Sequence, residues 1–219
     1  MAKILVAGGL WEKEPDEKLM NARRYFANQL GKEIISRGHT LLGGCRTQLD
    51  AEVANSALKE AIKKKIEPRK VIKSWVSKST IPSHQSGEII RSKMDNWGQV
   101  PRGFFYPEPI QEADVVIILG GWDGTHFAAS WARMANKPIV PVASFGQAAA
   151  EIFEEEILSF DKRYANRISI DEYHILNRLL INPDDSTIEL FTKDVLSLAE
   201  RIITPTTVFI IMSLHRKEI

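Results

Sequence analysis

A chain of 219 residues, 44% hydrophobic and 26% charged, has the make-up of one globular domain, or one with an appendage, long enough to bury a real core. Its formal charge of +1 supplies no overall field for a nucleic acid or an acidic membrane surface, and no apolar stretch approaches the roughly 18 residues of a membrane span.

The opening MAKILVAGG has one lysine and then a short apolar run that stops at glycines. It lacks a secretory cleavage region and reads as a strand over residues 3–9, apolar enough to be buried on both faces. From Asp16 to Arg37 the positions Leu19, Ala22, Phe26, Leu30 and Ile34 recur at helical spacing, with Asp16 as N-cap and Gly38 as stop. HTLLGG (39–44) is a second strand. Cys45 follows it as the only cysteine, so no internal disulfide is possible and a reducing compartment, the cytoplasm, is expected. Residues 49–65 form the second helix, with Ala51, Ala54, Leu58 and Ala61 inward. The basic run KKKIEPRK (63–70) reads as a solvated helix end rather than a nucleic-acid patch.

KVIKSWVS (70–77) is the third strand. Lys78 to Pro109 is less regular, with a helix expected around Gly87 to Trp97 and a loop after it. DVVIILGG (114–121) is the clearest strand. A helix from Thr125 to Asn136, a strand over 138–143 and a helix from Gln147 to Arg163 follow. The last helix runs from Ile188 to Ile203, capped by Asp185 or Ser186. This alternation means right-handed crossovers: an α/β fold, a Rossmann-like three-layer sandwich with a mainly parallel sheet. The expected organisation is a binding domain over 1–165, a helical extension over 166–204, and a linker with a strand over 205–219. The tail's VFIIMS reads either as an edge strand or as the first strand of a further effector domain.

Ligands of such sheets sit beyond the carboxyl ends of the strands. Three glycine pairs fall there: Gly8-Gly9, Gly43-Gly44 and Gly120-Gly121. A helix start aims backbone N–H groups at an anion, and glycine lets a phosphate approach them. Gly120, Gly121, Gly124 and Thr125 have that order: strand, glycine turn, threonine at a helix start. Trp122 either shields a base or packs on the surface, and Asp123 caps the turn or faces away. His126 is a further candidate contact. In the second turn Arg46 and Thr47 are candidates; Arg46 either clamps a phosphate or forms a surface ion pair. Cys45 reads as a packed small residue rather than a nucleophile, which would need a base or an electropositive pocket. The spacing fits neither a P-loop nor G-x-G-x-x-G. No metal and no built-in cofactor is expected.

The segments LLGGCRTQLDAEVANSALKEA and ADVVIILGGWDGTHFAASWARMANKPIVPV resemble the SLOG superfamily. It groups LOG-type nucleotide phosphoribohydrolases with the DprA/Smf DNA-processing fold and with sensor domains. The resemblance spans roughly Lys3 to Phe153 and implies a nucleotide or nucleotide-derived ligand over the glycine turns. LOG enzymes carry Pro-Gly-Gly-x-Gly-Thr-x-x-Glu. Here Leu119 replaces the proline, one extra residue precedes Gly124-Thr125, and Ala128 stands where the glutamate that stabilises positive charge on the ribose would fall. Ala129 and Ser130 bring no carboxylate either, and Glu52, Asp50, Asp123 and Glu88 have no spacing that commits them. The enzymes' upstream arginine corresponds to Arg102, with Arg91 as the alternative.

Two functions follow as expectations. One is a sensor or regulatory module for a nucleotide or NAD-derived molecule, of the kind found in bacterial defence proteins, acting in a homo-oligomer as a segment from about Ser79 to Pro107 closes over the base. The other is a nucleosidase or phosphoribohydrolase cleaving an N-glycosidic bond with a non-standard acid. A DNA-processing role of the Smf type is disfavoured by the lack of basic excess.

Overall fold

The computed structural model describes residues 1–10, 16–92, 98–100, 103–105 and 107–204. In chain order the elements are β1 (Lys3–Gly9), α1 (Glu17–Ser36), β2 (Thr40–Gly44), α2 (Gln48–Lys63), α3 (Pro68–Val71), β3 (Ile72–Val76) and β4 (Glu88–Arg91). Then come β5 (Gly98–Val100), β6 (Gly103–Phe105), α4 (Glu108–Glu112), β7 (Val115–Gly120), α5 (Asp123–Met134) and β8 (Ile139–Val142). After a 3-10 turn, α6 (Ala148–Leu158), α7 (Phe160–Arg163), α8 (Ile170–Tyr173) and α9 (Asp185–Ile203) complete the described chain.

The main sheet is six-stranded, ordered β4-β3-β2-β1-β7-β8, and every pairing in it is parallel. The order reverses at β1, so β1 and β7 flank the switch point. Alternate side chains of each strand face opposite layers. Ile4, Val6, Leu41, Ile117 and Leu119 share one core with Phe26 and Leu30 of α1, Val53 and Ala57 of α2, and Phe191 and Val195 of α9. Leu5, Leu42, Val116 and Ile118 share the other with Ile110 of α4, Ala129 and Ala132 of α5, and Ile152 of α6. Each fully buried Leu, Ile or Phe here contributes on the order of 1.5–3 kcal/mol. The Rossmann-like α/β class expected from the alternation is the class observed.

Several local expectations are corrected. Residues 88–91 form a strand, β4, paired with β3 through Ser74–Ile89 and Trp75–Ile90, not the start of a helix. A pairing partner fifteen residues away overrode the local pattern. The helix expected from Gln147 to Arg163 breaks at Ser159 into α6 and α7. Helix α5 starts two residues before Thr125 and ends at Met134 rather than Asn136. Asp184, not Asp185 or Ser186, caps α9, accepting from Thr187 N at 2.8 Å. In α2 the buried line is Leu49, Val53, Ala54, Ala57 and Ala61, while Ala51 and Leu58 are only half-buried. Asp16 caps α1 as expected, and Gly38 follows it with φ +78°. The tail strand expected in VFIIMS lies outside the described residues.

Candidate functional site

The switch point assembles the first and third glycine pairs. In register, Gly8 lies beside Leu119 and Gly9 beside Gly120. The backbones approach so closely that a Cβ on Gly8 would lie 2.0 Å from Leu119 O. Gly120 and Gly121 both have positive φ, +56° and +86°, the region that favours glycine. A Cβ on Gly121 would lie 2.0 Å from Thr125 Oγ1, and one on Gly120 would lie 2.7 Å from Gly9 O and from Gln147 Oε1. These glycines therefore answer to the protein's own backbone and side chains. Gly124 differs: a Cβ there meets nothing within 4 Å.

Helix α5 begins at this turn without a side-chain cap. Its first amides thus lack the usual hydroxyl or carboxylate acceptor. Thr125 is buried beneath Gly121, while Trp122, 58% exposed, stands beside the opening. Helix α6 also starts here: Ala148 N donates to Gly121 O at 3.2 Å, and Gly121 N donates to Gln147 Oε1 at 3.0 Å. Gln147 holds this post at φ +59°, an unfavourable conformation for a residue with a Cβ. Its Nε2 is buried with no hydrogen-bond partner among the described residues. Arg23 of α1 comes up from the other layer, 1% exposed, its Cδ 3.6 Å from where a Gly120 Cβ would stand. One terminal nitrogen of Arg23 donates to Phe145 O at 2.6 Å. Nothing local in the sequence marks Arg23 or Gln147; the sheet order brings them to the turn.

His126 points across to α6, its Nε2 3.0 Å from Glu151 Oε2. Asp123 is exposed in the first turn of α5.

The second turn is built differently. Thr47 caps α2 and accepts from Asp50 N at 3.2 Å. The Asp50 carboxylate folds back and accepts from Arg46 N at 2.9 Å and Thr47 N at 2.7 Å. The amides that would face a phosphate already hold an anion. Gly44 leaves room for it: a Cβ there would lie 2.8 Å from Asp50 Oδ2. The loop after β3 closes the top. Ser83 N donates to Cys45 O at 3.0 Å, and His84 Nε2 lies 3.4 Å from Gly44 O. Burial holds the His84 imidazole below its ordinary pKa, against smaller opposing effects of Gly44 O and Asp50. Cys45 is buried, its thiol donating to the backbone carbonyl of His84. Gly43 borders a water-sized cavity of about 10 Å³ shared with Asp50, Val53 and Ser74. Arg46 is exposed.

Arg102 lies outside the described residues. Arg91 is turned to the β3–β4 loop, donating to Ser77 O at 2.9 Å and Thr80 O at 2.7 Å. Glu52 meets Arg24 and Asn28 on α1. Among the described residues no cluster of His, Cys, Asp and Glu could hold a metal ion, and no helix is long and apolar enough to cross a membrane.

No protein-family model and no curated protein matches the chain. Solved structures do. A protein designated TM1055 is 16% identical over 91% of this chain and 99% of its own, with a TM-score of 0.57. A molybdenum cofactor binding protein from the phototrophic bacterium Rippkaea orientalis is 18% identical over 92% of this chain and 96% of its own, with a TM-score of 0.51. The molybdenum cofactor carrier protein of Chlamydomonas reinhardtii is 17% identical over 90% and 98%, with a TM-score of 0.50. At such identities the likeness is one of fold.

Proposed function

We propose that this chain binds a nucleotide or a nucleotide-derived small molecule, NAD fragments included, over the Gly120–Thr125 turn, and keeps it intact as a sensor or carrier module. The start of α5 carries the reading. It is an uncapped helix end, it has an open approach at Gly124, and it lies against the unpartnered amide nitrogen of Gln147. Phosphate oxygens take the first amides of α5, where the helix dipole favours negative charge. The Gln147 Nε2 adds one neutral donor, and Trp122 lies against the base.

Holding rather than cleaving is supported by the side chains at hand. Ala128 stands in place of the LOG glutamate, and His126 is engaged by Glu151. Two neighbours of the same fold are named for carrying or binding a cofactor, which is a precedent for retention. As a sensor, the chain would have to bind its ligand more tightly in one arrangement of a homo-oligomer than in another, since only differential affinity shifts such an equilibrium.

Incubation with nucleoside monophosphates, NAD and cyclic nucleotides tests the reading. The expected result is a rise in melting temperature with the ligand recovered unchanged. Release of free base would establish a hydrolase instead. No stabilisation by any of these ligands would remove the site.

A further inference from the structure

The glycine turn lies at the carboxyl ends of the strands. At the opposite end, beneath the start of β8, is a cleft of about 510 Å³ lined by Arg133, Lys162, Arg163, Arg167 and the amides of Asn136 and Asn166, among others. None of the lining side chains among the described residues is acidic. We propose that this cleft is a second binding site, for a short polyphosphate or a multiply phosphorylated small molecule.

The cations are held in place from behind. Glu156 is fully buried, and Arg133 Nε donates to its Oε1 at 2.6 Å. Arg163 Nε lies 3.0 Å from the other carboxylate oxygen, and the Tyr164 hydroxyl also donates to that oxygen. Arg133 reaches Glu155 as well, at 2.7 Å. Arg163 is fixed further by donating to Lys137 O at 2.9 Å, and Arg167 by donating to Ile202 O. Glu155 and Glu156 offset two of the four positive charges, leaving an excess. Each guanidinium has five N–H donors, more than these partners use. Arg133 Nη2 is buried and has no hydrogen-bond partner among the described residues. Lys162 is exposed and enters no ion pair among them.

Helices α5, α6 and α7 all end near this cleft, and their carbonyl ends favour cations. That accounts for a cation at each end. It does not account for a concave surface lined by four of them with no carboxylate in its lining among the described residues. Fixed guanidinium forks match phosphate oxygens in pairs. The cleft far exceeds one phosphate. Its lining is mostly polar, with Pro138 and Tyr164 as the apolar exceptions, so it offers little for a base to stack on. Phosphate groups, rather than a heterocycle, are what it can recognise.

Tripolyphosphate is the probe, titrated calorimetrically into the whole chain at low and high salt. Saturable binding that weakens with salt is expected. Lys162→Glu reverses an exposed charge without touching the Glu156 network and should weaken binding about tenfold or more. Lys162→Arg should keep it. Gly124→Val, at the other end of the sheet and outside the cleft lining, should leave the Lys162-dependent part of the binding unchanged, whatever it does to phosphate binding at the glycine turn. Absence of binding at millimolar tripolyphosphate would overturn the proposal. So would equal binding by wild type and Lys162→Glu, or binding lost in Gly124→Val alone. The proposal does not depend on nucleotide binding at the glycine turn, which can fail without affecting these outcomes.

Discussion

The β2–α2 and β7–α5 turns share a plan: a buried strand ends in two glycines, and a helix starts within four residues. Their third helical positions differ. In α2 it is Asp50, whose carboxylate returns to the amides of Arg46 and Thr47. In α5 it is Thr125, buried under Gly121, and the helix start has no side-chain cap. One turn carries its own anion and a roof from the loop at His84; the other has an open approach at Gly124. A glycine pair at a strand end is thus common to a sealed helix start and an open one. Whichever group meets the helix amides decides which it is.

Paired substitutions at the open turn test that distinction most severely. Gly121→Val forces a side chain into positive φ and against Thr125 Oγ1. We expect it to destabilise the fold by about 3 kcal/mol or more, read as a drop in denaturation midpoint. Gly124→Val meets no atom within 4 Å and should leave that midpoint nearly unchanged. If Gly124 is the approach to the ligand, the same variant should weaken nucleotide binding about tenfold or more in a titration. Equal nucleotide affinity in Gly124→Val and wild type would mean the open turn is merely an uncapped helix.

This pair also shows what could be read from residue order. The strands were legible because a run such as DVVIIL has only one economical use, burial on both faces. The β7–α5 turn was legible as a glycine turn, but its glycines did not reveal that Gly120 answers to Gly9 and Gln147 and Gly121 to Thr125. The seal at the second turn was also present: Thr47 and Asp50 have the Thr-x-x-acid spacing of a capping box, which marks Asp50 as a capping group rather than a candidate catalyst. Arg23 and Gln147 were not legible, because more than a hundred residues separate them and they meet only once β1, β7 and β8 pair in the sheet. Strand β4 was missed because Ile89 and Ile90 between charged neighbours carry little signal without β3 beside them.

At the sealed turn, Asp50→Ala removes the carboxylate from two amides and ends the reciprocal cap. A loss of about 1–2 kcal/mol is expected in urea denaturation. The exposed amides of Arg46 and Thr47 should then respond to added phosphate, partly restoring the midpoint in the variant and not in wild type. That result would make the two turns interchangeable in principle. A smaller effect of opposite sign is expected at Gly43, where a Cβ meets nothing within 4 Å and the strand gains from a stiffer residue. Gly43→Ala should stabilise by about 0.5 kcal/mol, measured the same way.

The smallest expected effect is a pH dependence at the sealed turn. His84 is 6% exposed, and burial lowers its pKa from the ordinary 6.5. The folded protein therefore takes up this proton at lower pH than the unfolded chain does. Between those two values the unfolded state binds more protons, so stability falls as pH is lowered through 6.5 and levels off below the folded pKa. Carboxylates held below their usual range, Glu172 by its bonds to Ser169 and Arg201 and Asp184 by Thr187, lose their contribution only at more acidic pH. Urea midpoints at pH 7.5 and at about 5.5 should differ less in His84→Gln than in wild type. In Asp50→Ala the difference should widen, because the nearby negative charge that favours the imidazolium is gone. An unchanged pH response in both variants would detach His84 from the seal and leave Asp50 alone to account for the contrast between the two turns.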